Sequence, residues 1–147
     1  MRPDFYPQIY RLEKSYWWYK SRRNLIKQLL PSRKQLKILD IGCGTGKLLE
    51  ELQSYGQAYG VDSNPQAIKF CRHRRLKHVF RNKFPYLRPF LRHQKFDVII
   101  CLDVIEHIYN DVQAMRTINQ LLSSGGKLIL TVPAYPWLFS YWDEISG

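Results

Sequence analysis

The stretch ILDIGCGTG at positions 38–46 constrains this chain more than any other. Gly42, Gly44 and Gly46 fall at every second position directly after an apolar run. Glycine reaches positive φ at no steric cost, and it leaves no Cβ between the backbone and an approaching ligand. An apolar run that ends in such residues and passes into a helical pattern predicts a buried strand, a tight turn and a helix start. The unpaired N–H groups and the positive dipole end of that helix favour a polar or anionic ligand on the turn.

The remaining segments repeat the strand-then-helix order. Residues 6–30 predict one or two helices, with Ile9, Leu12, Tyr16 and Tyr19 at helical spacing, followed by Ile26, Leu29 and Leu30 and ended by Pro31. Positions 36–41 read as a first buried strand, and 47–55 as a helix with Leu48, Leu49 and Leu52 on one face. Positions 58–62 form a second strand. Asn64 caps a helix that begins at Pro65 and runs to about residue 75. A weaker third strand is expected at 78–81, and FDVIICL at 96–102 is the clearest strand of all. A helix over 111–122 should turn Val112, Met115, Ile118 and Leu122 inward. Gly125 and Gly126 should break it before a last strand at 127–132. Short connections between alternating strands and helices predict right-handed βαβ units, hence an α/β fold with a parallel sheet covered on both faces. The 147 residues contain no linker and read as one domain.

Two familiar phosphate-binding turns are excluded by spacing. The dinucleotide pattern G-x-G-x-x-G needs glycine where Lys47 stands, and the phosphate loop fails at the interval from Gly42 to Lys47 and at Leu48. Cys43, Cys71 and Cys101 lack the paired spacings of a disulfide framework or zinc site, which suits a reducing compartment. No apolar run is long enough to cross a bilayer, and the N-terminal residues do not resemble a signal peptide. A soluble, cytoplasmic protein is therefore expected. The formal charge of +11 is uneven: positions 63–96 hold no acidic residue, but include Arg72, Arg74, Arg75, Lys77, Arg81, Lys83, Arg88 and Arg92. Such a run reads first as a solvated face and second as a contact for an anionic partner. Phe80, Phe84, Tyr86 and Phe90 interleave with it, suiting either stacking on bases or packing under the loop that Pro85 and Pro89 predict.

ILDIGCGTG resembles the first motif of the class I S-adenosylmethionine-dependent methyltransferases. YGVDSNPQAI resembles the second strand of that family, FDVIICLDVIEHI the fourth strand and its turn, and LLSSGGKLILTVP the fifth strand with its preceding helix. The resemblance spans residues 36–133, and Trp17-Trp18 with Arg22-Arg23 is similar to the N-terminal helices of some bacterial members. It implies a Rossmann-like sheet, S-adenosyl-L-methionine as cofactor, and three parts: a helical lid at 1–35, a cofactor core at 36–133, and the start of an acceptor-side loop at 134–147. It also implies site roles. Gly42, Cys43, Gly44 and Gly46 would line the methionine part of the cofactor. Asp40 would help hold its ammonium group, Asp62 its ribose hydroxyls, and Ser63 would lie near the adenine. Leu102 and Asp103 would border the cofactor from the other side. Asn82 stands where relatives carry an acidic residue beside the adenine, which implies weaker cofactor binding.

His107 is the one candidate for a general base. Asp103, Glu106 and His107 resemble a divalent-metal pattern of some relatives, but a metal is not expected. The family core has two more strands, so the resemblance implies a chain truncated after its fifth strand. That strand would then have an open edge suited to a second copy or a partner chain. The expected activity is methyl transfer to a small-molecule acceptor. A non-catalytic or partner-dependent cofactor-binding subunit is the alternative. RNA methylation is a further one: the basic window favours it, but LDVIEH stands where an Asn-Pro-Pro-Tyr-type motif would be, so nucleic acid is not the favoured partner.

Overall fold

The computed structural model describes residues 5–33 and 35–133. The expected acceptor-side loop at 134–147 lies outside the described residues. The element order is α1 (Tyr6–Leu12), α2 (Trp17–Leu29), β1 (Leu36–Ile41), α3 (Lys47–Leu52), β2 (Gly56–Asp62), α4 (Pro65–His73), β3 (Val79–Arg81), α5 (Pro89–Arg92), β4 (Phe96–Leu102), α6 (Asp111–Leu121) and β5 (Leu122–Thr131). Short 3₁₀ turns cover Gln53–Tyr55 and Ile105–His107. The five strands form one parallel sheet in the order β3-β2-β1-β4-β5. This is the expected α/β Rossmann-like arrangement.

Alternation along β1 shows how the sheet buries both faces. Leu36 and Ile38 join Ile26 of α2, Leu49 and Leu52 of α3, and Cys71 of α4 on one side. Leu39 and Ile41 join Leu91 of α5 and Ala114, Ile118 and Leu121 of α6 on the other. A strand sandwiched in this way reads as a nearly continuous apolar run. β1 pairs with β2 on one side and β4 on the other, so the chain reverses its winding there. The crevice at the carboxyl ends of β1 and β4 is where such sheets take ligands. Asn64 caps α4 as expected: its side chain accepts from Gln66 N at 2.8 Å, with Pro65 opening the helix.

Three local expectations need correction. On α6 the inward residues are Ala114, Ile118 and Leu121, whereas Val112 and Met115 are exposed. The small Ala114 faces the sheet, so the helix is rotated from the orientation that its larger apolar residues suggested. β5 begins at Leu122, not Lys127, with a register shift opposite Phe96 and Val98. Gly125, at φ +73°, lies in that irregular stretch, where the Ser123 hydroxyl donates to Phe96 O at 3.0 Å. Residues 89–92 form a short helix where a loop was expected. Among the described residues β5 is a sheet edge, and no helix is long and apolar enough to cross a membrane.

Candidate active site

The turn after β1 divides its work among the three glycines. All have positive φ: +76° at Gly42, +54° at Gly44 and +83° at Gly46. A Cβ on Gly46 would come to 2.7 Å from Leu76 Cδ1 and 2.8 Å from Cys71 Sγ, and one on Gly42 would collide with Val104. These two positions are bare so that the turn can pack. A Cβ on Gly44 would meet nothing within 4 Å. That position is bare beside open space, as a ligand cradle requires. Gly46→Ala should therefore cost about 2–4 kcal/mol of stability from overpacking and left-handed strain. Gly44→Ala should cost about 1–2 kcal/mol from strain alone. Denaturant melts of both variants check this order, and equal losses would contradict the division of roles.

Asp62, at the end of β2, reaches across to the turn. One carboxylate oxygen accepts Gly44 N at 2.9 Å and the other accepts Asn64 N at 2.8 Å. Burial pushes its pKa up, partly offset by the N–H groups of Asn64 and Gly44. Each oxygen retains a lone pair for a further donor, as a vicinal diol would offer. Asn82 N donates to the Asp62 main-chain carbonyl at 2.9 Å, which sets Asn82, just past β3, next to the end of β2. Its side-chain N–H₂ donates to Tyr86 O at 3.0 Å, and its buried side-chain oxygen has no hydrogen-bond partner among the described residues. A buried acceptor left in this state costs about 1–3 kcal/mol and awaits a donor.

Asp40 is 3% exposed. Burial, then the charge of Asp62, raises its pKa to about 8, against a lowering by Arg22. A carboxylate in such surroundings calls for a cation. The observations fit a cofactor with an ammonium, a ribose diol and an exocyclic amine: an under-compensated Asp40, a poised Asp62, an unpartnered Asn82 oxygen and open space over Gly44.

The other expected residues are placed differently. The Cys43 side chain points into the core, its Sγ 3.9 Å from Cys71 Sγ, so only its main chain belongs to the turn. Ser63 is exposed, and its carbonyl accepts Arg81 Nε at 3.2 Å. Leu102 is partly buried at the end of β4. Asp103 sits at φ +52°, and its carboxylate is taken by Arg22 at 2.5 Å and by the Thr131 hydroxyl at 2.8 Å. His107 is exposed on the 3₁₀ turn after β4. Among the described residues no three His, Cys, Asp or Glu side chains gather to hold a metal ion.

Sequence reasoning missed two arginines. Arg22 of α2 also donates to Thr131 Oγ1 at 2.8 Å, so α2 is pinned to the ends of β4 and β5 beside Asp40. Arg74 was counted with the solvated basic run, yet its side chain is 3% exposed. It donates to Thr45 O in the glycine turn at 2.9 Å, to Glu50 at 3.2 Å and to Glu13 at 2.5 Å, beneath the Tyr10 ring. The Arg22-Arg23 pair was visible in the sequence, but nothing local marked Arg74 as different from its neighbours. A concavity of about 420 Å³ between α2 and the 53–55 turn lies at the opposite ends of the strands and shares no residue with this constellation.

A family model described as a methyltransferase domain matches residues 16–144. The mitochondrial ubiquinone biosynthesis O-methyltransferase of Schizosaccharomyces pombe is 31% identical over 101 residues, covering 65% of this chain and 37% of that protein. The tRNA U34 carboxymethyltransferase of Campylobacter hominis is 28% identical over 121 residues, covering 79% and 42%. The chain thus spans less than half the length of the curated relatives it matches. Among solved structures, the N-methyltransferase NodS of Bradyrhizobium japonicum, in complex with S-adenosyl-L-homocysteine, superposes with a TM-score of 0.65 at 22% identity. That match covers 82% of this chain and 64% of that one.

Proposed function

We propose that this chain, which belongs to the methyltransferase-domain family, binds S-adenosyl-L-methionine on its glycine turn and directs the methyl group to a small-molecule acceptor. The Asp62 carboxylate carries the reading: it is held by Gly44 N and Asn64 N beside a bare backbone position. The cofactor, when bound, supplies a methyl group already activated by its sulfonium. The protein's part is then alignment and exclusion of water. Asp62 grips the ribose, the Asn82 oxygen takes the adenine amine, and Asp40 faces the ammonium. Arg22, beside Asp40 and paired with Asp103 and Thr131, keeps α2 at this end of the sheet.

This assignment has a proton signature. With a pKa near 8, Asp40 is mostly protonated at pH 7 in the free protein. Its stabilising contribution as the neutral acid is complete below the unfolded value of 3.8 and fades as pH rises through about 8. An ammonium set against it drives ionisation. Binding of S-adenosylhomocysteine at pH 7 should therefore release close to one proton, read by calorimetry in buffers of different ionisation enthalpy. Asp40→Asn should release none. Equal proton release by the two proteins would remove Asp40 from this role.

His107 is proposed to take the acceptor's proton. His107→Ala should then lower kcat by about 10²–10⁴-fold and leave cofactor affinity unchanged. Transfer of a labelled methyl group to hydroxylated and amine-bearing small molecules measures it. Turnover that survives the substitution intact would assign the histidine no chemical part.

A further inference from the structure

Glu13, Glu50, Glu51, Asp97 and Asp103 are taken by Arg22, Arg23, Lys27, Arg33, Lys47 and Arg74. Of the ten Lys and Arg residues at 63–96, only Arg74 pairs with a carboxylate among the described residues. Eight of the other nine form an exposed surface, and the ninth, Lys95, donates to Gln120 O of α6. Lys69, Arg72, Arg75 and Lys77 project from the end of α4 and the segment after it. Arg81, Lys83, Arg88 and Arg92 continue it along β3, the sheet edge, and into α5. Arg81 and Arg92 donate to backbone carbonyls, which orients their guanidinium groups without cancelling their charge.

Two rings lie in this surface: Tyr86 is 59% exposed and Phe90 is 42% exposed. The aliphatic residues of the same window, Ile68, Leu76, Val79, Leu87 and Leu91, are all buried. An anionic bilayer also attracts cations, but stable seating adds inserted apolar area, and here no aliphatic side chain of the window is exposed beside the two rings. Single-stranded nucleic acid needs a cationic track for phosphates and flat rings for bases. We propose that the exposed cations of α4, β3 and α5 form a binding surface for single-stranded RNA, with Tyr86 stacking on a base. The surface lies on the β3 flank, away from Arg22 and Thr131 on the β5 side, and it adjoins the adenine end of the proposed cofactor site, where the Asn82 side chain donates to Tyr86 O. Its test needs neither cofactor nor turnover.

The probe is a fluorescein-labelled, mixed-sequence RNA of about 16 nucleotides, the upper site size of a single-strand-binding surface. Fluorescence anisotropy should give a log–log salt slope near −4 if about six phosphates are neutralised. The variant Arg72→Gln/Lys77→Gln/Lys83→Gln/Arg88→Gln should flatten that slope by about 3 units. Tyr86→Ser should weaken binding about tenfold with the slope unchanged. A control, Arg11→Gln/Lys14→Gln/Lys20→Gln/Arg116→Gln, removes equal charge elsewhere and should keep the wild-type slope. Circular dichroism verifies the fold of each variant. Should the quadruple variant not fold, Lys83→Gln with Tyr86→Ser carries the test. Several results would overturn the proposal: no RNA binding at low salt, equal loss in the control, an unchanged slope in the window variant, or binding to vesicles of anionic phospholipid in place of RNA.

Discussion

Asp62→Ala should weaken S-adenosylhomocysteine binding by about 100-fold or more, the largest effect on cofactor affinity of any single substitution here. Two charge-assisted hydrogen bonds to a ribose are lost, each worth about 1.5–3 kcal/mol, and each 1.4 kcal/mol is a factor of ten. The turn also loses its anchor at Gly44 N. The fold should suffer far less. Burial raises the pKa of Asp62 in the folded protein, so its ionised form gains nothing from folding as pH rises above the unfolded value of 3.8. A carboxyl group buried at that cost makes sense for binding and little sense for stability. Calorimetric titration and thermal melting separate the two effects. A variant that melts early yet binds as the wild type does would reverse the assignment.

Arg74→Met should have the largest effect on stability. It strips the partner from Glu13, whose side chain is 8% exposed, and leaves that charge buried. Breaking a buried pair in this way costs about 3–5 kcal/mol. Glu50, with its side chain 38% exposed, adds little because water can reach it. The Glu13 pKa is nevertheless raised, since burial outweighs the lowering by Arg74 and Arg23. The pair therefore does not outdo an apolar contact, and Glu13→Leu/Arg74→Met should recover most of the loss. Urea denaturation measures both. A single variant costing under about 1 kcal/mol would show that water or another cation replaces Arg74. Arg74 also holds Thr45 O, so the single variant should loosen the glycine turn and weaken cofactor binding even where it remains folded.

What the sequence could reveal depended on whether the cause was local. The glycine turn was legible because positive φ at Gly42, Gly44 and Gly46 is a property of the residues themselves. Asp62 could be placed at a strand end because the segment before it is apolar, whereas Asn82, behind the three-residue β3 and Arg81, was located through the family resemblance alone. α6 was misaligned by its own larger side chains, since a small residue facing the sheet leaves little mark in an apolar pattern. The Arg22–Thr131 and Arg74–Glu13 contacts join positions 109 and 61 residues apart, and no periodicity encodes such pairs. Cys43 and Cys71 likewise meet across 28 residues. The basic run was read correctly as surface everywhere except Arg74, where an acidic partner from α1's end drew one guanidinium inside.

The most direct measurement is a crystal structure of the protein with S-adenosylhomocysteine. It should show both ribose hydroxyls on the Asp62 carboxylate, the adenine amine on the Asn82 side-chain oxygen, and the methionine part lying over Gly44. A nucleoside bound elsewhere, or a turn closed by side chains with Asp62 directed away, would contradict the account.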